Sequence, residues 1–205
     1  MSELRGAACN AQKGSSIVEL LLASTLGMLV VLAAVEILRV HAALALQVQA
    51  ELTASTTATW ALRTALRDIR TAGADPRQGG VTALAEASRD SMTLLSDRNG
   101  DGFVDDRSHE AISIRWSERR GGGISRRVGL QSMVLASRVS RDAFRLRYFD
   151  REGREVSPDR PLDSALLGQV RLVRVEIGVE ESLGRFRGSA SRMGAAAIRL
   201  RESSE

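Results

Sequence analysis

Cysteine is nearly missing from this chain of 205 residues: Cys9 is the only one, which excludes an internal disulfide framework and any zinc site built from several thiolates. Two histidines, His41 and His109, are too few for a histidine-rich metal cluster. Aromatic residues make up 3% of the chain, short of the stacking platform that single-strand nucleic-acid binders use. Proline occurs only at Pro76, Pro158 and Pro161, so nothing breaks the backbone before residue 76 by that route. Lysine occurs once, at Lys13, so nearly all positive charge is arginine, which stays charged in any environment and suits phosphate and carboxylate. The net charge of +4 and a pI near 10.4 admit an acidic partner without specifying one. At 43% hydrophobic content the length suffices for one domain, or for a small domain with an anchor.

What is present is unevenly spread. Residues 1–14 are polar and end in Lys13-Gly14, after which the sequence turns apolar as SSIVELLLASTLGMLVVLAAVEIL. Leu20 to Val35 carries no charge, and with Ile17 and Val18 it reaches the roughly 20 residues that cross a bilayer as a helix. The polar piece precedes the apolar one and no small-residue cleavage site follows, which is the wrong order for a conventional secretory signal. No apolar run precedes Cys9, so a lipoprotein signal is excluded too. Glu19 lies inside the apolar run. An ionised carboxylate in hydrocarbon costs several kcal/mol unless paired, so it points to a function, with a free α-amino group as its natural partner. The other reading is a glutamate near a helix end that reaches the headgroups. Glu36 and Arg39 mark the far end of the membrane segment.

Lys13-Gly14-Ser15-Ser16-Ile17-Val18-Glu19-Leu20-Leu21 resembles the class III signal of type IV prepilins and type II secretion pseudopilins, with Ser15 where that superfamily has Phe. Basic residue, Gly, aliphatic pair, Glu at a fixed offset and a long apolar helix coincide. The resemblance implies cleavage by a prepilin peptidase after Gly14, N-methylation of the new N-terminus at Ser15, and Glu19 as the fifth mature residue, paired with a neighbouring subunit's N-terminus during assembly. It implies a subunit inserted in the bacterial inner membrane with its head on the periplasmic side. There it would meet other pilin subunits and the assembly machinery, then join a pilus or pseudopilus. About 191 residues would remain, with neither cysteine nor lysine. A narrower resemblance, to PilW-like minor pilins and J-type minor pseudopilins, rests on looser motifs. These are Leu66-Arg67-Asp68-Ile69-Arg70-Thr71-Ala72-Gly73, the Asn-Gly-Asp-Gly loop leading to Glu110-Ala111-Ile112, Phe144-Arg145-Leu146-Arg147-Tyr148-Phe149-Asp150, Val170 to Val175 and Arg199-Leu200-Arg201.

Between Met28 and Ala72 there is neither Gly nor Pro, so one helix is expected from about Ser16 to Thr71, roughly 80 Å long at about 1.5 Å per residue. Gly73 and Pro76 end it. Leu44, Val48 and Leu52, then Leu62, Leu66 and Ile69, recur at helical spacing as the face expected to meet a head. After the helix, period-two alternation appears at Met92–Leu94, Ile112–Trp116, Phe144–Tyr148, Val173–Ile177 and Ile198–Arg201, the signature of half-buried antiparallel strands. The stretch Arg119 to Arg127, broken by Gly121-Gly122-Gly123, reads as a flexible hairpin tip, and Asp150-Arg151-Glu152-Gly153 as a turn. The expected fold class is α+β and pilin-like, the helix laid on a mostly antiparallel sheet. The segments are a leader 1–14, a membrane and assembly segment 15–38, an amphipathic continuation 39–75 and a head 76–205.

Asp97-Arg98-Asn99-Gly100-Asp101-Gly102-Phe103-Val104-Asp105-Asp106 is the one chemically pointed cluster. Oxygen side chains at alternate positions before Gly resemble the first half of an EF-hand loop, and calcium would take Asp97, Asn99, Asp101, Asp105 and the Phe103 carbonyl as ligands. The usual twelfth-position carboxylate falls on Ser108, so Asp105, Asp106 or Glu110 would complete the shell. A plain Asn-Gly/Asp-Gly turn explains the same residues. No nucleophile motif or phosphate loop accompanies His109, and an enzyme is not expected. From another class, Arg119, Arg120, Arg126 and Arg127 around the tip would hold phosphates in a membrane-tethered nucleic-acid binder; a solvated hairpin in an arginine-biased sequence is the favoured reading of these residues.

Overall fold

The structure is a computed structural model that describes residues 16–76, 80–105, 109–119, 121–156 and 161–198. Two compact units divide between Ala45 and Leu46. Helix α1, Ile17–Thr71, runs through both, as the lack of Gly and Pro after Met28 requires. In the first unit every residue from Ser16 to Ala42 is exposed. This stretch is apolar enough and long enough to cross a membrane, which makes the chain compatible with a single-pass membrane protein.

The second unit holds the rest of α1, two antiparallel sheets and a short helix α2, Ser164–Leu167. The first sheet is a meander in the order β1-β2-β3-β4-β5, from β1 Leu84–Ala87, β2 Ser91–Leu95, β3 Ala111–Ser117, β4 Gly123–Val128 and β5 Gln131–Ser137. The second has the order β7-β6-β8-β9, from β6 Phe144–Phe149, β7 Glu155–Val156, β8 Leu172–Leu183 and β9 Phe186–Ala197. The fold is α+β, with two sheets where one was expected. Backbone bonds join them, from Leu146 N to Arg89 O and from Glu180 N to Arg138 O. The buried Tyr148 hydroxyl donates to Ser88 O at 2.8 Å, and burial pushes its pKa well above the ordinary phenol value.

One face of each strand feeds a single core. Met92 and Leu94, Ile112 and Ile114, Leu146 and Tyr148, and Val173, Val175 and Ile177 are all buried, as alternation predicts. The helix face matches expectation at Leu62, Leu66 and Ile69 and differs from it before them. Leu44, Val48 and Leu52 are 53%, 53% and 62% exposed, while Ala50, Ala54, Ala58, Ala61, Leu62, Ala65 and Ile69 are buried. Alanine wins because of how near β9 comes. A side chain at Gly188 would collide with the backbone of Ala50 and Glu51, and one at Gly194 would press on Leu66 and Leu62. A leucine at residue 50 or 54 would hold the helix too far out for this contact.

The first sheet is fastened to the helix differently. Arg126 on β4 donates from Nε and Nη2 to both oxygens of Asp68, at 2.6 and 2.9 Å. The Asp68 side chain is 5% exposed, and its hydrogen bonds raise the Arg126 pKa further, against the opposing effect of burial. Breaking such a pair strands a buried charge. Arg126→Ala is therefore expected to lower unfolding stability by about 3 kcal/mol. The double variant Asp68→Leu with Arg126→Met should recover most of the loss in urea melts followed by tryptophan fluorescence. Equal loss in both variants would contradict the stranded-charge explanation.

Candidate functional site

Two regions carry chemistry: the start of α1 and the loop between β2 and β3. Gly14 and Ser15, where cleavage and N-methylation are expected, lie outside the described residues. Ser16 precedes the first helical residue and accepts from Leu20 N through its backbone oxygen at 3.1 Å. Its hydroxyl accepts from Val18 N at 3.4 Å. Glu19 falls in the first turn, where the amide dipoles of a helix N-terminus favour a carboxylate. Ile17, Val18, Leu20, Leu21 and Leu22 surround it, each at least 60% exposed. Glu36 and Arg39 pair at 2.8 Å, as their spacing of three predicts.

In the loop, Asp97 is fully buried and its two oxygens accept from Gly100 N at 2.6 Å and Gly102 N at 2.9 Å. Asn99 Oδ1 accepts from Asp101 N, and Asp101 Oδ1 from Phe103 N, at 2.7 and 2.8 Å. Gly100 and Gly102 take positive φ, 75° and 89°, the left-handed region that such tight reversals favour and that suits glycine. The loop is thus shaped by its own amides. A hard cation would have to draw on these same side-chain oxygens, together with Asp105 and the exposed Phe103. Among the described residues, no group of three or more acidic, histidine or cysteine side chains is clustered as a metal site. Asp106 and Ser108 lie outside them.

Glu110 is the residue whose role the motif did not disclose. It is 3% exposed, its Oε1 accepts from Arg98 N and Asn99 N at 3.2 Å each, and its Oε2 accepts from Asp105 N at 3.1 Å. It holds both limbs of the loop at once. The sequence marked it only as one of three carboxylates that would complete a cation shell, not as an acceptor for the loop's amides. Backbone bonds from Asp97 N to Ala74 O and from Gly73 N to Leu95 O tie the loop's stem to the end of α1.

Of the four arginines, the three among the described residues differ in setting. Arg119 is exposed in a turn, and Arg120 lies outside the described residues. Arg126 and Arg127 belong to β4, not to a flexible tip, and successive strand residues point to opposite faces. Arg127 is exposed and Arg126 is bound to Asp68, which takes Arg126 away from phosphate recognition.

Removing the Glu110 carboxylate leaves three loop amides without an acceptor, so Glu110→Ala is expected to cost about 2 kcal/mol. Amide hydrogen exchange at Arg98, Asn99 and Asp105 should accelerate at least about tenfold more than in β6. Uniform acceleration, or none, would contradict the assignment.

No protein-family model matches the chain, and neither a curated protein nor a solved structure is detectably similar to it. A long N-terminal apolar helix, packed through its second half on antiparallel sheets, is consistent with a pilin-like fold.

Proposed function

We propose that this chain is a minor pilin or pseudopilin. It is a non-catalytic subunit held in the bacterial inner membrane by the first half of α1, with its head on the periplasmic side. Prepilin peptidase cuts it after Gly14, and helix packing builds it into a type IV pilus or a type II secretion pseudopilus, in the initiation or tip complex. The narrower resemblance in its sequence is to PilW-like and J-type subunits. The observation that carries the reading is Glu19 in the first turn of α1, among the exposed apolar Ile17, Val18, Leu20, Leu21 and Leu22. A span serving only as an anchor gains nothing from a buried charge. An assembly helix does, because Glu19 can neutralise the α-amino group that cleavage creates at Ser15 of an adjacent subunit.

Expressed with an active prepilin peptidase, the mature protein should begin at Ser15 by N-terminal sequencing. A product still beginning at Met1 refutes the processing. Glu19→Ala should be cut normally yet enter filaments at least about tenfold less; unchanged incorporation removes the pairing role.

Calcium is proposed as a further ligand of the head, held by Asp97, Asn99, Asp101, Asp105 and the Phe103 carbonyl, where it would neutralise crowded carboxylates. Millimolar calcium is expected to raise the melting midpoint of the full chain, and chelation to reverse it. Identical midpoints contradict the site and leave the loop as an amide-held turn.

A further inference from the structure

Strand β5 ends its sheet, so one side of its backbone faces away from β4. No hydrogen bond from that side reaches another described segment. Folded proteins blunt such edges with charge, proline or brevity. The other edges follow this rule: β9 carries Arg187 and Arg192, β7 has two residues, and β1 carries Glu86 and accepts Leu162 N at Ala87 O. The exception is β5. Gly129 to Ser137 reads GLQSMVLAS, without charge or proline, and Leu130, Met133 and Val134 are 86%, 43% and 63% exposed. A bulge breaks the ladder between Ile124 and Ser125, setting Ser125 opposite Val134 and Ile124 opposite Ala136, so the regular stretch is Gln131–Val134.

We infer that β5 is a docking edge for a second copy of this chain, the two Gln131–Val134 segments pairing antiparallel about a two-fold axis at Ser132. That register sets Val134 of each copy beside Leu130 of the other, on the face away from α1. Charge permits self-pairing. The segment itself has none, and Arg126, one strand in, is neutralised by Asp68. Arg127 lies opposite Ser132 on β4, so the two copies of Arg127 would stand three strand spacings apart, about 14 Å, beyond the ~8 Å screening length at physiological salt. The open ladder supplies affinity, since only another strand satisfies its alternating donors and acceptors, and the Val134–Leu130 contacts supply the side-chain fit.

Opposed residues on antiparallel strands have Cα atoms about 4.5 to 5.5 Å apart, within reach of a disulfide. The test uses the full chain in detergent micelles with Cys9→Ser and either Ser132→Cys or, on the exposed β9 edge, Ser191→Cys. Mild oxidation should yield at least about tenfold more cross-linked dimer at 132 than at 191. Adding Val134→Lys should bring the 132 yield down to the 191 yield while leaving the melting midpoint unchanged. Equal yields at the two positions overturn the proposal, and so does a 132 yield indifferent to Val134→Lys. Neither result bears on cleavage after Gly14.

Discussion

The backbone of α1 and strand β9 come closer than side chains of ordinary size would allow, and much else follows from that distance. Gly188 leaves room for the Ala50–Glu51 peptide, Gly194 for Leu62 and Leu66, and the helix answers with alanines at 50, 54, 58, 61 and 65. Each alanine methyl buries little, about 0.8 kcal/mol of apolar transfer. Their value is geometric, because they bring the large side chains of both sheets against Leu62 and Ile69 in one core. Near the end of the helix the Arg126–Asp68 pair and the Gly73–Leu95 backbone bond fix the first sheet, so each sheet has its own attachment.

Small residues facing the head leave larger ones facing away. Leu44, Val48, Leu52 and the half-exposed Trp60 lie outside the core, and from Leu20 to Val35 the helix carries no charge on any side. A globular protein that kept this much apolar helix in water would aggregate. The first part is long and apolar enough to cross a membrane. For the second, the proposed filament accounts for it, since subunits that pack by their helices need a free apolar stripe. The sheets then present only what the helix does not use: a loop closed by Glu110 and an uncharged edge at β5.

Much of this was legible in the sequence where a pattern had one cause. Alternation located β2, β3, β6 and β8, because their inward residues are large and apolar, and in β6 and β8 the outward ones are charged. It missed β9, whose glycine, alanine and serine answer to the helix. It missed β5, whose outward residues are apolar. Arg126 looked like part of a mobile tip because its partner Asp68 is 58 residues away. Leu62, Leu66 and Ile69 meet the head as their spacing foretold, but Leu44, Val48 and Leu52 do not, for a related reason: leucine spacing is conspicuous, whereas an alanine stripe within an alanine-rich helix hardly stands out. In the loop, aspartate and glycine spacing announced a tight turn, but nothing local told that Glu110 closes it.

The central claim is that alanine, not leucine, marks the face of α1 buried against the head. Single cysteines in a Cys9→Ser chain test it directly. With a water-soluble maleimide, cysteine at 52 should react at least about a hundredfold faster than cysteine at 54 or 58. Similar rates at the three positions, or protection at 52, would contradict the account.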